Sequence, residues 1–420
     1  MILEFSRPEL EHQLIEARDI AGLNAAIASV GSLWRLLSSP EIIGRQMFCP
    51  GLDATIPKVN RKLKLQDRPS RKNNDNVCIL TSRLNRSGGH SRVAAEIAQM
   101  IGAERTTVVC TDVPGYAAHE GLLWTQDNQT LKRRALILLA ARTPVGKIFE
   151  LYNVLAAIRP SRIILLANHM DFVAYAAAWS FRDVAEYLHH ADHQPALGTT
   201  LPFSAHVDLT YTCHKTCCRA GIPAFYAGMT VTSSELQDGG SRPKAAGRRR
   251  VATCGSDVKF RGPSAFRWSD YAIATLSALD TDLLHIGEVS PQFQAEVAGR
   301  LAAAGVNPAR YVFGGHVPSL PDELVNQGVS NFLSSYPVPG GKTNLEAMAV
   351  GLAPLVPIDE DFPAQMRFDF PLPTWTEIAR PEEVKEGVAR SEKLQARMAT
   401  VGARDAFERE LGRFRAYVMS

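Results

Sequence analysis

Short apolar runs alternate with longer helical segments along most of this chain, in two series separated by a polar, basic stretch. In the first series the runs fall at 77–81, 106–111, 162–167, 184–189, 207–212 and 225–229, with helical periodicity at 91–101, 144–158 and 171–181. The second series places runs at 250–255, 283–287, 311–314, 331–334 and 353–357, with helices at 264–279, 291–305, 319–327 and 342–350. Strands joined through a helix are parallel, and near-continuous apolar runs suit strands buried on both faces. The expected fold class is therefore α/β, with two doubly wound Rossmann-like domains facing across a cleft. Residues 1–72, with Leu10, Leu14, Leu23 and Ile27 at helical spacing, form an N-terminal helical extension. Domains are expected at 73–235 and 251–390, with a basic linker at 236–250 and a closing helix at 391–420.

Composition narrows the function classes. A chain of 420 residues with 45% apolar and 21% charged residues has ample core for two or three domains. A net charge of +3 argues against wholesale nucleic-acid binding. The local cluster Arg242, Lys244, Arg248, Arg249 and Arg250 is either a solvated linker or a peripheral contact with an anionic membrane or acidic acceptor. Seven cysteines, an odd number, fit a reduced cytoplasm and free thiols better than a disulfide framework. The apolar stretch 163–181 is broken by Asn168, His169 and Asp171 and reads as strand plus helix, not as a membrane span. The N-terminus lacks a signal-peptide pattern, so the expected location is the cytoplasm.

The segment 332–351 carries the most chemistry. It reads as a strand, a Pro-Gly-Gly turn and a helix whose first turn holds Lys342, Thr343 and Asn344. Gly340 and Gly341 let backbone amides approach an anion closely, and the helix dipole favours negative charge at that point. Glu346, one turn further in, is suited to accept hydrogen bonds from ribose hydroxyls. A plain phosphate turn of a doubly wound sheet would look similar.

The pattern Gly340-Gly341-Lys342-Thr343-Asn344-x-Glu346-Ala347-Met348, followed by Gly351, Pro354 and Val356, resembles the donor-nucleotide motif of GT-B glycosyltransferases. Its flavour is that of the O-GlcNAc-transferase-like group and its bacterial relatives, with Lys342 standing where that group has a His. In that resemblance Lys259 would grip the donor diphosphate, although Ser256 stands where the group carries Gln. His316 could meet the nucleotide from the side, and Gly88, Gly89 and Arg92 would form the glycine loop that opens many such chains. The large retaining families carry an acidic residue eight positions before the ribose-binding Glu, and here Val338 stands there. That favours inverting transfer. The resemblance implies a nucleotide-diphosphate sugar as donor, a glycan or protein acceptor, no cofactor, and a last helix that returns to the first domain.

His189, His190, Asp192 and His193 form the densest ionisable cluster, following a strand at the edge where open α/β sheets bind ligands. It resembles the His-x-Asp-His segment of bacterial glycosyltransferase-like sequences. His190 or His193 would act as general base, with Asp192 orienting it. A satisfied loop network and a metal site are the competing readings. No metal is expected, because neighbours on an extended segment point to opposite faces and metal sites draw ligands from separated positions. Cys213, Cys217 and Cys218 likewise read as free thiols, since no second pair has matching spacing. The alternative activities are a metal-dependent hydrolase built on 189–193 and a non-catalytic glycosyltransferase-like subunit that binds a partner.

Overall fold

The computed structural model describes residues 3–37, 42, 46–68, 75–85, 89–112, 136–190, 194–231, 249–262, 264–358 and 374–420. The chain divides into two compact units, Met1–Gly228 with Arg415–Ser420, and Met229–Phe414.

The first unit opens with β1 (Leu3–Glu4) and β2 (Gln46–Phe48), a short parallel pair, set among the helices Pro8–Glu16, Ile20–Ser32, Trp34–Leu37 and Pro50–Lys62. Among the described residues its main sheet is parallel, with seven strands: β3 (Val77–Thr81), β4 (Thr106–Cys110), β5 (Leu136–Leu138), β6 (Arg162–Leu166), β7 (Ala185–His189), β8 (Ala205–Asp208) and β9 (Phe225–Tyr226). Their spatial order is β5-β4-β3-β6-β7-β8-β9, so the chain winds outward in one direction from β3 and then in the other from β6. All five residues of β3 are buried, which accounts for its unbroken apolar text.

The segment that superficially resembled a membrane span is β6 followed by the helix Phe172–Trp179, whose residues Phe172 to Ala178 are all buried. Asp171 starts that helix by accepting a bond from the Ala174 amide at 3.0 Å. Among the described residues no helix is long and apolar enough to cross a membrane. The N-terminal helices share the core of this unit: Leu14, Leu23, Val30, Leu52 and Ile56 pack in one cluster with Leu165 and Tyr175. Polar bonds join them to it. Asn60 Nδ2 donates to the Ala176 carbonyl at 2.7 Å. The buried Asp53 carboxylate accepts from the amides of Gly198 (2.6 Å) and Thr200 (3.0 Å) and from the Thr200 hydroxyl (2.7 Å). The chain's last turn completes the unit: Arg162 pairs with Glu186 at 2.8 Å and donates to the carbonyls of Tyr417 and Val418.

The second unit has a parallel sheet of β10 (Arg249–Cys254), β11 (Thr281–Ile286), β12 (Tyr311–Gly315) and β13 (Val329–Phe332) in the order β12-β11-β10-β13. It is extended by a bridge from Leu333 to Leu355 into β14 (Leu355–Pro357), which pairs with β15 (Thr376–Ile378). Winding outward from the first strand and then reversing is the Rossmann order in both units.

Two local expectations need correction. The run 207–212 is not one strand. β8 stops at Asp208, and Thr210 caps a helix, Tyr211–Arg219, by accepting from the Cys213 amide at 3.1 Å. The run 225–229 likewise contributes two strand residues only. Of the basic cluster at 242–250, residues 242–248 lie outside the described residues, whereas Arg249 and Arg250 open β10 and meet Glu392 and Gln327.

Candidate functional site

In an open parallel sheet the crevice forms where the winding reverses, beyond the carboxyl ends of the central strands. In the second unit that point lies between β10 and β13. The chain leaves β10 at Cys254 and passes through Gly255 and an extended Ser256 into the short helix Asp257–Phe260, which carries Lys259. It leaves β13 through 333–339 into the helix Gly341–Ala349, with Gly340 as its extended N-cap. The two turns are stitched together: the Val338 amide donates to the Lys259 carbonyl at 3.3 Å, and the Lys259 ammonium reaches the Pro339 carbonyl at 3.5 Å. A cation therefore stands beside the helix N-terminus at the switch point.

Thr343 Oγ1 packs where a side chain on Gly340 would begin, so a larger residue there would have to displace the Thr343 hydroxyl. Lys342 is buried and donates to the Thr230 carbonyl within the same unit, so in this structure its ammonium serves the protein itself. Asn344 is 1% exposed, yet among the described residues neither its Oδ1 nor its Nδ2 has a hydrogen-bond partner. Thr253 Oγ1 and Ser334 Oγ, at the ends of β10 and β13, are also buried and have no hydrogen-bond partner among the described residues. Buried polar atoms are normally satisfied, so such a gathering points to a ligand-binding region. Burial pushes the Cys254 thiol up to about 12, with the Glu346 carboxylate adding to the rise and the Lys259 ammonium opposing it. Glu346 and Lys259 thus act on one point.

A chain of hydrogen bonds sets the position of the Gly255 turn. Trp268 Nε1 donates to the Tyr311 hydroxyl at 2.8 Å, and that hydroxyl meets His285 Nδ1 at 2.7 Å. His285 Nε2 meets the Gly255 carbonyl at 3.0 Å. A carbonyl only accepts, so Nε2 carries the proton and Nδ1 accepts from Tyr311. Burial holds His285 neutral, pushing it down to about 4. Gly287, at φ +121°, lies so close to this turn that a Cβ would stand 2.5 Å from the Gly255 oxygen. Nothing in the sequence marked His285, Tyr311 or Gly287 as site residues, because each acts through its position on a neighbouring strand. His316 is half-buried, just past the edge strand β12 and separated from β10 by β11.

In the first unit the reversal lies between β3 and β6. Gly88 falls outside the described residues; Gly89 opens the helix Gly89–Ile101, and Arg92 pairs with Glu96 at 3.6 Å. His90, which the sequence did not single out, bonds Thr81 Oγ1 through Nε2 at 2.8 Å and sets its ring edge-on to His190 at 4.8 Å. Burial, reinforced by His190, pushes His90 down to about 3 and keeps it neutral. His190 Nδ1 lies 3.3 Å from the Leu188 carbonyl. That contact puts the proton on Nδ1 and makes Nε2 the basic nitrogen. Asp192 and His193 lie outside the described residues. His189 is fully buried and turned to Asp208, whereas its neighbour His190 meets His90. The two histidines do not converge, so 189–190 cannot act as one ligand set for a hydrolytic metal.

No protein-family model matches the sequence, and no curated protein is significantly similar to it. Solved structures do match in fold. The lipopolysaccharide outer core galactosyltransferase WaaB aligns over 82% of this chain and 99% of its own, at 14% identity and TM-score 0.52. Anabaena HepE in complex with UDP and glucose covers 82% of this chain and 96% of its own, at 13% identity and TM-score 0.53. TarM covers 82% and 97%, at 8% identity and TM-score 0.55. The fold is GT-B.

Proposed function

We propose that this GT-B chain is a glycosyltransferase that takes a sugar from a nucleoside-diphosphate donor and passes it to a glycan or protein hydroxyl. The observation that carries the reading is the pairing of Lys259 with the N-terminus of the helix Gly341–Ala349 at the switch point of the second sheet. A fixed ammonium and a row of helix amides stabilise a diphosphate whose charge grows as the glycosidic bond breaks, without requiring a metal there. Glu346 would accept the ribose hydroxyls, and the unpartnered Asn344 amide would bond the phosphates or sugar. Ser256, Gly340, Gly341 and Thr343 line the two turns, and Lys342 already donates to the Thr230 carbonyl.

In this reading the acceptor oxygen attacks the anomeric carbon while its proton passes to a base, and the diphosphate leaves with the bonding pair. His190 is the base we favour, because its Nε2 is the basic nitrogen. Attack opposite the leaving group inverts the anomeric centre, and Val338 in place of an acidic residue agrees with that outcome. UDP-sugars are the first donors to try, since HepE was crystallised with UDP-glucose. The test is a thermal-shift screen of UDP, GDP, CDP and TDP sugars. A donor raises the melting temperature by mass action, and Lys259→Met and Glu346→Ala abolish the shift. A shift that survives both substitutions refutes this donor site.

A further inference from the structure

We propose that the first unit holds a structural zinc ion, bound by His189 Nδ1, His206 Nε2, Asp208 Oδ1 and Cys217 Sγ. Their positions follow from the sheet. His189 ends β7 and pairs in register with Asp208 on the neighbouring β8. His206 and Asp208, two residues apart on one strand, share a face. Cys217 comes from the helix Tyr211–Arg219, which the Thr210 cap starts just after β8. The ligands therefore come from two strands and a helix, and of the histidine-rich run His189 alone takes part.

The four ligand atoms lie within 4.8 Å of one another, and five of the six edges between them are close to those of a coordination tetrahedron. Cys217 Sγ stands 3.5 Å from each of the other three atoms. Asp208 Oδ1 lies 3.0 Å from His189 Nδ1 and 3.1 Å from His206 Nε2. Zinc bonds of about 2.0 Å to nitrogen or oxygen and about 2.3 Å to sulfur give tetrahedral edges of roughly 3.3 Å between N and O, and roughly 3.5 Å to sulfur. A sulfur equidistant from three nitrogen and oxygen atoms is the apex such a figure needs.

Hydrogen bonding alone explains the arrangement poorly. Two imidazoles and a thiol crowd one oxygen of Asp208, while Oδ2 has no hydrogen bond among the described residues and lies 3.4 Å from His214 Nδ1. His206 is bonded to the Thr199 backbone as well as to Asp208. A neutral imidazole has one N–H for those two partners. With a metal on Nε2, the Nδ1 proton is left for Thr199, the outer-shell bond typical of a ligating histidine. Charge also balances, since Zn²⁺ with one thiolate, one carboxylate and two neutral imidazoles sums to zero. That matters because His189, Asp208 and Cys217 are fully buried, where net charge is costly. Four protein ligands in a closed pocket leave no place for substrate, so the ion is structural. It would clamp β7, β8 and the helix Tyr211–Arg219 and so fix the strand end that precedes His190. The inference stands whether or not the chain transfers sugars.

The test uses the full chain, expressed without a polyhistidine tag in zinc-supplemented medium. Elemental analysis is expected to find close to one zinc ion per chain in the wild type and in Cys218→Ser, whose thiol is exposed on the same helix. Cys217→Ser should drop to about one tenth or less. Should that variant fail to fold, the wild type refolded with Co²⁺ decides: a tetrahedral d–d spectrum with a thiolate-to-cobalt band supports the site. Wild-type protein that neither retains zinc nor gives that spectrum overturns the proposal, as does a Cys217→Ser protein that binds zinc like the wild type.

Discussion

Replacing Gly287 by alanine probes how tightly the proposed donor turn is built. Gly287 sits at φ +121°, and its Cβ would stand 2.5 Å from the Gly255 oxygen and 3.0 Å from the Gly255 carbonyl carbon. Both are backbone atoms, so relief requires moving the turn itself. The unfavourable dihedral contributes about 1–3 kcal/mol. Displacing the Gly255 carbonyl also weakens its 3.0 Å bond from His285, worth about 1 kcal/mol more. A total of about 2–4 kcal/mol corresponds to a fall of roughly 4–16 °C in melting temperature for a unit of this size. Gly299→Ala is the matched control: it lies in the helix Pro291–Ala303, and its Cβ meets nothing within 4 Å. That substitution should stabilise the protein by about 0.5–1 kcal/mol. Differential scanning calorimetry measures both. A Gly287→Ala protein that melts with the wild type, while Gly299→Ala behaves as expected, would refute the close approach of these two turns.

Other outcomes follow from the same geometry. Without donor, Lys259→Met should keep the wild-type melting temperature, and it should lose about 100- to 1000-fold in kcat/KM, read as nucleoside diphosphate released from the donor. His285 is pushed down to about 4 in the folded chain, below the ordinary value near 6.5, so the unfolded chain binds the extra proton. Its stabilising contribution is complete above about pH 6.5 and is lost as pH falls toward 4, amounting to about 2 kcal/mol by pH 5. Urea unfolding at pH 7 and pH 5 measures this, and His285→Gln should flatten the difference; an unchanged slope would contradict a buried neutral imidazole.

The parallel architecture was legible because each central strand is buried on both faces and each crossover helix keeps its own period. Where that logic thins, the reading slipped. The β-branched text of 207–212 looks like strand, but the Thr210 hydroxyl is better used capping the helix that follows. The edge strands β5 and β15, three residues each, carry too little pattern to be seen. The helix Gly341–Ala349, to which we assign the donor, was visible as a helix because its glycines and polar first turn are contiguous in sequence. The outward-facing logic of the histidine run was half legible: alternation predicted that His189 and His190 would part, yet not what each would meet. His206, Asp208 and Cys217 gather around His189 only through the register of β7 with β8 and the pitch of a helix. His90 and His285 were missed for the same reason, since their partners are distant in sequence and adjacent in the sheet.

A crystal structure of the full chain soaked with UDP tests the central claim most directly. The diphosphate should lie on the first-turn amides of the helix Gly341–Ala349, within hydrogen-bond reach of the Lys259 ammonium, with the ribose hydroxyls on Glu346. Diphosphate density at any other place in the chain, with this helix N-terminus holding only solvent, would contradict the account.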